Sequence, residues 1–484
     1  MIAVCAVLGF GASAGAVPAQ AKGQTGAPGR VAPIAWAPCA EDRAVQCGAV
    51  KVPLDWGHAR GAQIEVAVAR RPAKDPAARI GVLLFNLGGP NGSGVDDLLA
   101  DGFFSASLRQ RFDLIGFDAR GTGRSHPVLC SGRLVAQRPP DVRTSAAEFD
   151  RLAAYNRALR EDCRRRTGPL YDHVDTVSVA HDLDRIRAAL GEDTISFYGL
   201  SYGSLLGQDY AALFPRRLRA LVLDSVLHHR LDTRSFVDTA AANAQDSFDE
   251  FVAWCGRDAG CALHARDVRV VWHGLLARAA LGEIPYPPDP SRPIRPEELI
   301  NAALGAFHGP DWATVAQILA ALDSGVPIPA PPAPPVTEVI AEPSAAIRCH
   351  DWNLRAASYP EYAAHQRRAA VIAPDLELGP AAGWLGECLG IPAPAPSRDS
   401  DARPGFGGPV LLVNALHDPA TGIDWASSVA GRLGPAAVLL TYEGWGHVVY
   451  GRGECTTGAV DTFLTALIQP AAGSRCPAAG IGTT

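Results

Sequence analysis

At 484 residues the chain exceeds one compact core, which predicts a large domain with a smaller one inserted or appended. Apolar residues make up 48% and charged residues 19%, which excludes the disordered and fibrous classes. A net charge of −6 without any run of Lys or Arg excludes a protein that follows nucleic-acid phosphates.

Residues 1–21 are apolar, rich in Ala and Gly, and end in Ala19-Gln20-Ala21, as the apolar region and cleavage site of a signal peptide would, although the basic start is missing. The stretch is too short and too broken by Gly and Pro for a membrane span, so no stable membrane insertion is expected. Residues 22–38 read as a flexible segment, and order is expected to begin near Cys39. Gln63-Ile64-Glu65-Val66-Ala67-Val68 alternates as a half-buried strand does. Short apolar runs follow at Val82-Leu83-Leu84-Phe85, Phe112-Asp113-Leu114-Ile115-Gly116, Ile195-Ser196-Phe197-Tyr198 and Ala220-Leu221-Val222-Leu223, with helical stretches at 147–164 and 177–190 between them. That alternation predicts an α/β fold, with a mostly parallel sheet flanked by helices.

From 231 to 400 the pattern turns helical, notably over 236–255, and is interrupted by proline-rich segments at 284–296 and 326–343; it predicts an inserted helical cap. The proline run 329–335 reads as an extended spacer. The sheet pattern resumes at Pro409-Val410-Leu411-Leu412-Val413 and Ala437-Val438-Leu439-Leu440, and a helix over 460–467 closes the chain. The core is therefore expected in two parts, 39–230 and 401–484.

Removing Cys5 with the leader leaves ten cysteines, an even number that favours disulfides in an exported protein. Pairing neighbours gives Cys39 with Cys47, Cys130 with Cys163, Cys255 with Cys261, Cys349 with Cys388 and Cys455 with Cys476, although sequence alone leaves the connectivity open. None of the spacings is a C-x-x-C metal or redox motif, so no metal is expected.

Gly199-Leu200-Ser201-Tyr202-Gly203 stands between a strand and a helix, where a tight turn exposes the Ser201 hydroxyl as a candidate nucleophile. A serine hydroxyl needs a base, and the base needs an acid to hold its tautomer. His447, in Gly444-Trp445-Gly446-His447, and Asp418, in His417-Asp418-Pro419, meet that demand in the order Ser, acid, His, with Asp224 as the rival acid; His417 is expected to point elsewhere. A negative tetrahedral intermediate needs backbone N–H donors. The glycine-rich loop 86–94, with Gly88 and Gly89, and the N–H of Tyr202 are the candidates. The loop lacks the Lys of a phosphate-binding loop. Asp118-Ala119-Arg120-Gly121-Thr122-Gly123-Arg124-Ser125 reads as a turn held by its Asp and Arg, without a direct part in chemistry.

Together these motifs, with Ala346-Ile347-Arg348-Cys349-His350-Asp351 at the end of the cap and the closing Cys455 and Cys476, resemble the secreted tripeptidyl aminopeptidases of actinobacteria, which are α/β-hydrolases akin to prolyl aminopeptidases. The resemblance implies a Ser201, Asp418, His447 triad and an oxyanion hole at Gly89 and Tyr202. The chain departs from the family pattern at Leu87, Asn91, Ser225 and His228-His229, which bears on substrate preference. An exopeptidase acting on free N-termini needs acids for the substrate ammonium; the candidates are Asp246, Asp249, Glu250 and Asp351.

The resulting expectation is a secreted, cofactor-free serine peptidase that releases short peptides, probed against two alternatives: an esterase of small esters or amides, and a catalytically silent binding protein. Its expected partner is a peptide or small acyl substrate, and a monomer is expected.

Overall fold

The computed structural model describes residues 31–141, 144–331, 335–376, 379–393 and 408–480. The expected leader, most of the expected flexible segment and the middle of the proline run lie outside the described residues.

The apolar runs form one ten-stranded sheet: β1 (Ala37–Pro38), β2 (Gln46–Pro53), β3 (Gln63–Arg71), β4 (Gly81–Asn86), β5 (Phe112–Phe117), β6 (Ile195–Leu200), β7 (Leu218–Asp224), β8 (Val410–His417), β9 (Ala437–Trp445) and β10 (Arg475–Pro477). Their order across the sheet is β1-β2-β3-β5-β4-β6-β7-β8-β9-β10. Pairings from β1 to β5 through β3 are antiparallel, and those from β5 to β10 are parallel. β5 and β6 are buried at every position because helices cover both faces. Successive side chains point to opposite faces, so Val82 and Leu84 join one core while Leu83 and Phe85 join the other.

Between β7 and β8 the chain leaves the sheet and forms helices Thr233–Arg257, Val268–Ala280, Pro296–His308, Trp312–Asp323, Ser344–Asp351, Tyr359–Ile372 and Gly379–Glu387. Their apolar faces share a core of Phe248, Phe251, Trp272, Phe307 and Trp312. The proline-rich segments also contain strands. Pro285–Tyr286 pairs with Asp289–Pro293, and Val339–Ala341 pairs antiparallel with Leu129–Ser131 of the core. Prolines suit such short edge strands, whose outer N–H groups need no ladder partner.

One expectation needs correction: packed structure begins before Cys39. Ile34 is buried against Gly48, where a Cβ would lie 2.5 Å from its Cγ2, and Arg70 stacks on Trp36 at 4.5 Å. The Gly, Ala and Pro around Ile34-Ala35-Trp36 dilute an apolar patch that the edge of the sheet absorbs. Five disulfides join Cys39–Cys47, Cys130–Cys163, Cys255–Cys261, Cys349–Cys388 and Cys455–Cys476.

Candidate active site

Ser201 stands between β6 and helix Tyr202–Leu213 with φ +54° and ψ −120°. A side-chain-bearing residue adopts that backbone only when its surroundings hold it there. Here glycines do so by close approach: a Cβ on Gly199 would lie 2.2 Å from the Gly203 oxygen, and one on Gly203 would lie 2.1 Å from the Asn86 oxygen. The Ser201 N–H donates to the Asp224 carbonyl at 2.9 Å. Its hydroxyl makes no hydrogen bond with any described residue, His447 included.

His447 follows β9, and its Nδ1 lies 3.1 Å from Asp418 Oδ1 and 3.0 Å from Oδ2. Because a carboxylate only accepts, this pair keeps the hydrogen on Nδ1 and leaves Nε2 with its lone pair. Asp418 is 2% exposed and also accepts from the Ala420 N–H (2.8 Å), the Thr421 N–H (2.9 Å) and the Thr421 hydroxyl (2.9 Å). Burial pushes its pKa up, but the charge and hydrogen bond of His447 and those backbone donors outweigh burial and hold it below the ordinary value. For His447 burial pushes down, and the Asp418 charge and hydrogen bond, with the charge of Asp224, carry the pKa above 6.5.

The rival acid has a different part. The Asp224 carboxylate accepts from the Tyr198 hydroxyl (2.7 Å), the Ser225 hydroxyl (3.1 Å) and the N–H groups of Val449 (2.9 Å) and Tyr450 (2.8 Å), and so holds the loop that carries His447.

Of the oxyanion candidates, the N–H groups of Gly89 and Tyr202 meet no acceptor among the described residues. Gly88 needs correction: its N–H donates to Asn86 Oδ1 at 3.0 Å. It is needed for space instead, since a Cβ there would lie 2.9 Å from the Tyr202 nitrogen.

The candidate acids divide. Asp246 accepts from His417 at 2.8 Å and Glu250 from the Trp445 indole at 2.9 Å, both on helix Thr233–Arg257 beside the Asp418 loop. His417 also stacks on Trp445, and its pKa is raised: burial pushes down, but Asp246 and Glu250 outweigh it. Asp249 is paired with Arg269. Asp351 is corrected as an ammonium site, because both its oxygens already accept hydrogen bonds, from Thr176 and Tyr202. Burial, then the charge of Asp175, push its pKa up to about 6.

In the Asp118 turn, Asp118 accepts from the Ser93 hydroxyl (2.6 Å) and the Val95 and Arg124 N–H groups, which ties the glycine-rich loop to β5. Arg120 is fully buried, grips both oxygens of Asp182 and donates to the carbonyls of Pro53 and Leu54.

Sequence reasoning missed His308, at the end of helix Pro296–His308. Its carbonyl accepts the His447 N–H at 2.8 Å, and its ring lies 5.1 Å from the His447 ring. The residue is exposed to solvent, with its ring set against that of His447. Burial, then the charge of His447, push its pKa down to about 4 against the pull of Asp418. The only local signal is a helix stop, Gly309-Pro310, which names no partner.

The sequence profile of the alpha/beta hydrolase fold matches residues 81–453. Serine protease Hip1 of Mycobacterium tuberculosis is 30% identical over 508 residues, covering 92% of this chain and 91% of that protein. Tripeptidyl aminopeptidase of Streptomyces coelicolor is 30% identical over 477 residues (89% and 83%), and carboxylesterase B of M. tuberculosis is 30% identical over 494 (96% and 94%). The chain belongs to the alpha/beta hydrolase fold family, among the serine hydrolases related to tripeptidyl aminopeptidases.

Proposed function

We propose that the protein is an exported serine aminopeptidase that releases short peptides, with tripeptides as the leading product, from free N-termini. The observations that carry the reading are the buried Asp418 carboxylate on His447 Nδ1 and the strained turn that holds Ser201. In this mechanism His447 Nε2 takes the proton of the Ser201 hydroxyl as its oxygen attacks a peptide carbonyl. The N–H groups of Gly89 and Tyr202 receive the developing negative oxygen. The leaving amine takes the proton from His447, and water, deprotonated by the same ring, releases the acyl group.

Asp246 and Glu250 are the acids proposed for the substrate ammonium, since they border the Asp418 loop and no Arg or Lys is paired with either among the described residues. Export is supported by the five disulfides, which persist in oxidising compartments, and by the leader-like residues 1–21. A relative of equal identity named as a carboxylesterase keeps an esterase as the second reading.

The deciding experiment compares a tripeptide anilide, its N-acetylated twin and a short acyl ester, using wild type and Ser201→Ala. Cleavage of only the free-amine peptide, lost in the variant, is the expected result. Preference for the ester, or indifference to acetylation, sinks the exopeptidase reading.

A further inference from the structure

The end of the cap carries a residue whose chemistry the triad does not use. Asp351 closes helix Ser344–Asp351, yet its carboxylate reaches into the core. Oδ2 accepts from the Tyr202 hydroxyl at 2.5 Å and the Thr176 hydroxyl at 2.6 Å, and Oδ1 accepts from the Thr176 N–H at 2.7 Å. Its backbone carbonyl is taken as well, by His229 Nε2 at 2.8 Å. One residue thus joins the cap to the first turn of helix Thr176–Ala189, to the loop after β7 and to the residue that follows the nucleophile.

We propose that Asp351 is a positioning residue for the oxyanion hole: by holding the Tyr202 side chain through its hydroxyl, it fixes the Ser201–Tyr202 peptide whose N–H receives the oxyanion. The inference rests on the reading of Ser201 as nucleophile and of the Tyr202 N–H as donor.

Tyr202 is the first residue of its helix, where the N–H has no partner in the helix ladder to orient it. The residue before it holds an unfavourable φ and would relax if its neighbours let go. The Tyr202 ring is 5% exposed and packs against Trp384, but ring packing alone permits sliding in the ring plane. A hydrogen bond from the phenol to a half-buried carboxylate stops that motion, because such charge-assisted bonds are short and directional. An oxyanion donor acts only when it lies within about 2.7–3.1 Å of the developing charge, so small displacements of this peptide lower the rate without altering ground-state binding.

The test uses the full-length protein carrying Asp351→Asn, Tyr202→Phe or both, with Ser201→Ala alongside. Each is assayed on a peptide anilide and a short acyl ester, and for inhibition by a peptidyl trifluoromethyl ketone, whose adduct with serine carries the oxyanion. Each single variant is expected to lose kcat by about tenfold to a hundredfold, with KM within about threefold and inhibitor affinity falling in parallel. The double variant should be no slower than the slower single, because both changes break one link. Tyr202→Phe keeps the ring in place, so it carries the test if Asp351→Asn does not fold. Singles that keep kcat within about twofold, losses that multiply in the double, or changes confined to KM overturn the inference. Activity that survives Ser201→Ala removes the underlying reading and the inference with it; activity lost in Ser201→Ala but untouched by Tyr202→Phe removes the inference alone.

Discussion

The Asp224 carbonyl accepts the Ser201 N–H at 2.9 Å, while the carboxylate of the same residue holds the N–H groups of Val449 and Tyr450, just beyond His447. One aspartate at the end of β7 therefore sets both the turn of the proposed nucleophile and the loop of the proposed base. In Asp224→Asn an amide NH2 would face buried donors, and each unsatisfied donor costs about 1–3 kcal/mol. The expected outcome is a lower denaturant midpoint together with a lower kcat for the folded fraction. A variant with wild-type stability and kcat would show that those bonds hold nothing.

The pH dependence follows from His447. In the proposed mechanism the ring acts as base only when neutral, and its pKa is raised above 6.5 because the Asp418 charge and hydrogen bond, with Asp224, outweigh burial. The acid limb of kcat/KM should therefore have its midpoint above 6.5, with activity rising as pH rises through it. Asp418→Asn removes the charge that raises the value, so the midpoint should move down while kcat falls about 10³–10⁴-fold. A pH–rate profile of both proteins checks this, and an unmoved limb would take Asp418 out of the triad.

His308 gives the opposite shift. Its ring covers one side of His447, and burial is what pushes the His447 pKa down. His308→Ala keeps the backbone carbonyl that accepts the His447 N–H but admits water to the ring. The acid limb should then move to higher pH and kcat/KM should fall several-fold. Since the His308 pKa is pushed down to about 4, the wild-type profile should carry no separate inflection from it near neutrality.

Arg120 and Asp182 form a buried ion pair at 2.5 Å that no proposed catalytic step uses. Arg120→Met leaves Asp182 buried with the Trp56 indole as its remaining hydrogen-bond donor among the described residues, and should destabilise the fold by about 3–5 kcal/mol. Adding Asp182→Leu should recover much of that loss, because the uncompensated charge is gone. Urea denaturation of the single and double variants decides it; equal losses would mean that packing, not charge, sets the effect.

The sheet was legible because each strand carries its own evidence: a short apolar run between helical stretches, as at 195–198 and 220–223. Ser201 was legible for the same reason, since the two glycines that make its turn lie within two residues of it. The Asp418 and His447 loops could be found because each follows a strand late in the chain. Contacts between distant segments were hidden. The Gly309-Pro310 stop after His308 says nothing about His447, and Asp351 read as a possible ammonium ligand because its partners, Thr176 and Tyr202, lie far back in the sequence. Gly88 looked like a donor because a glycine-rich loop shows where N–H groups gather but not which one a neighbouring side chain has taken. Ile34 was hidden by the small residues around it, although the edge of a sheet buries any apolar group that reaches it.

The hydrogen bond from the His447 N–H to the His308 carbonyl limits how this molecule could be rebuilt. The proposed base gains part of its backbone support from the cap, so the cap is not a detachable cover over a finished core. A chimaera that grafts another hydrolase's cap between β7 and β8 would inherit a new specificity only if it also supplied a turn that ends where His308 does. Cap exchange in this fold is therefore a graft with fixed attachment points, and one of them is a carbonyl oxygen that no choice of side chain can replace.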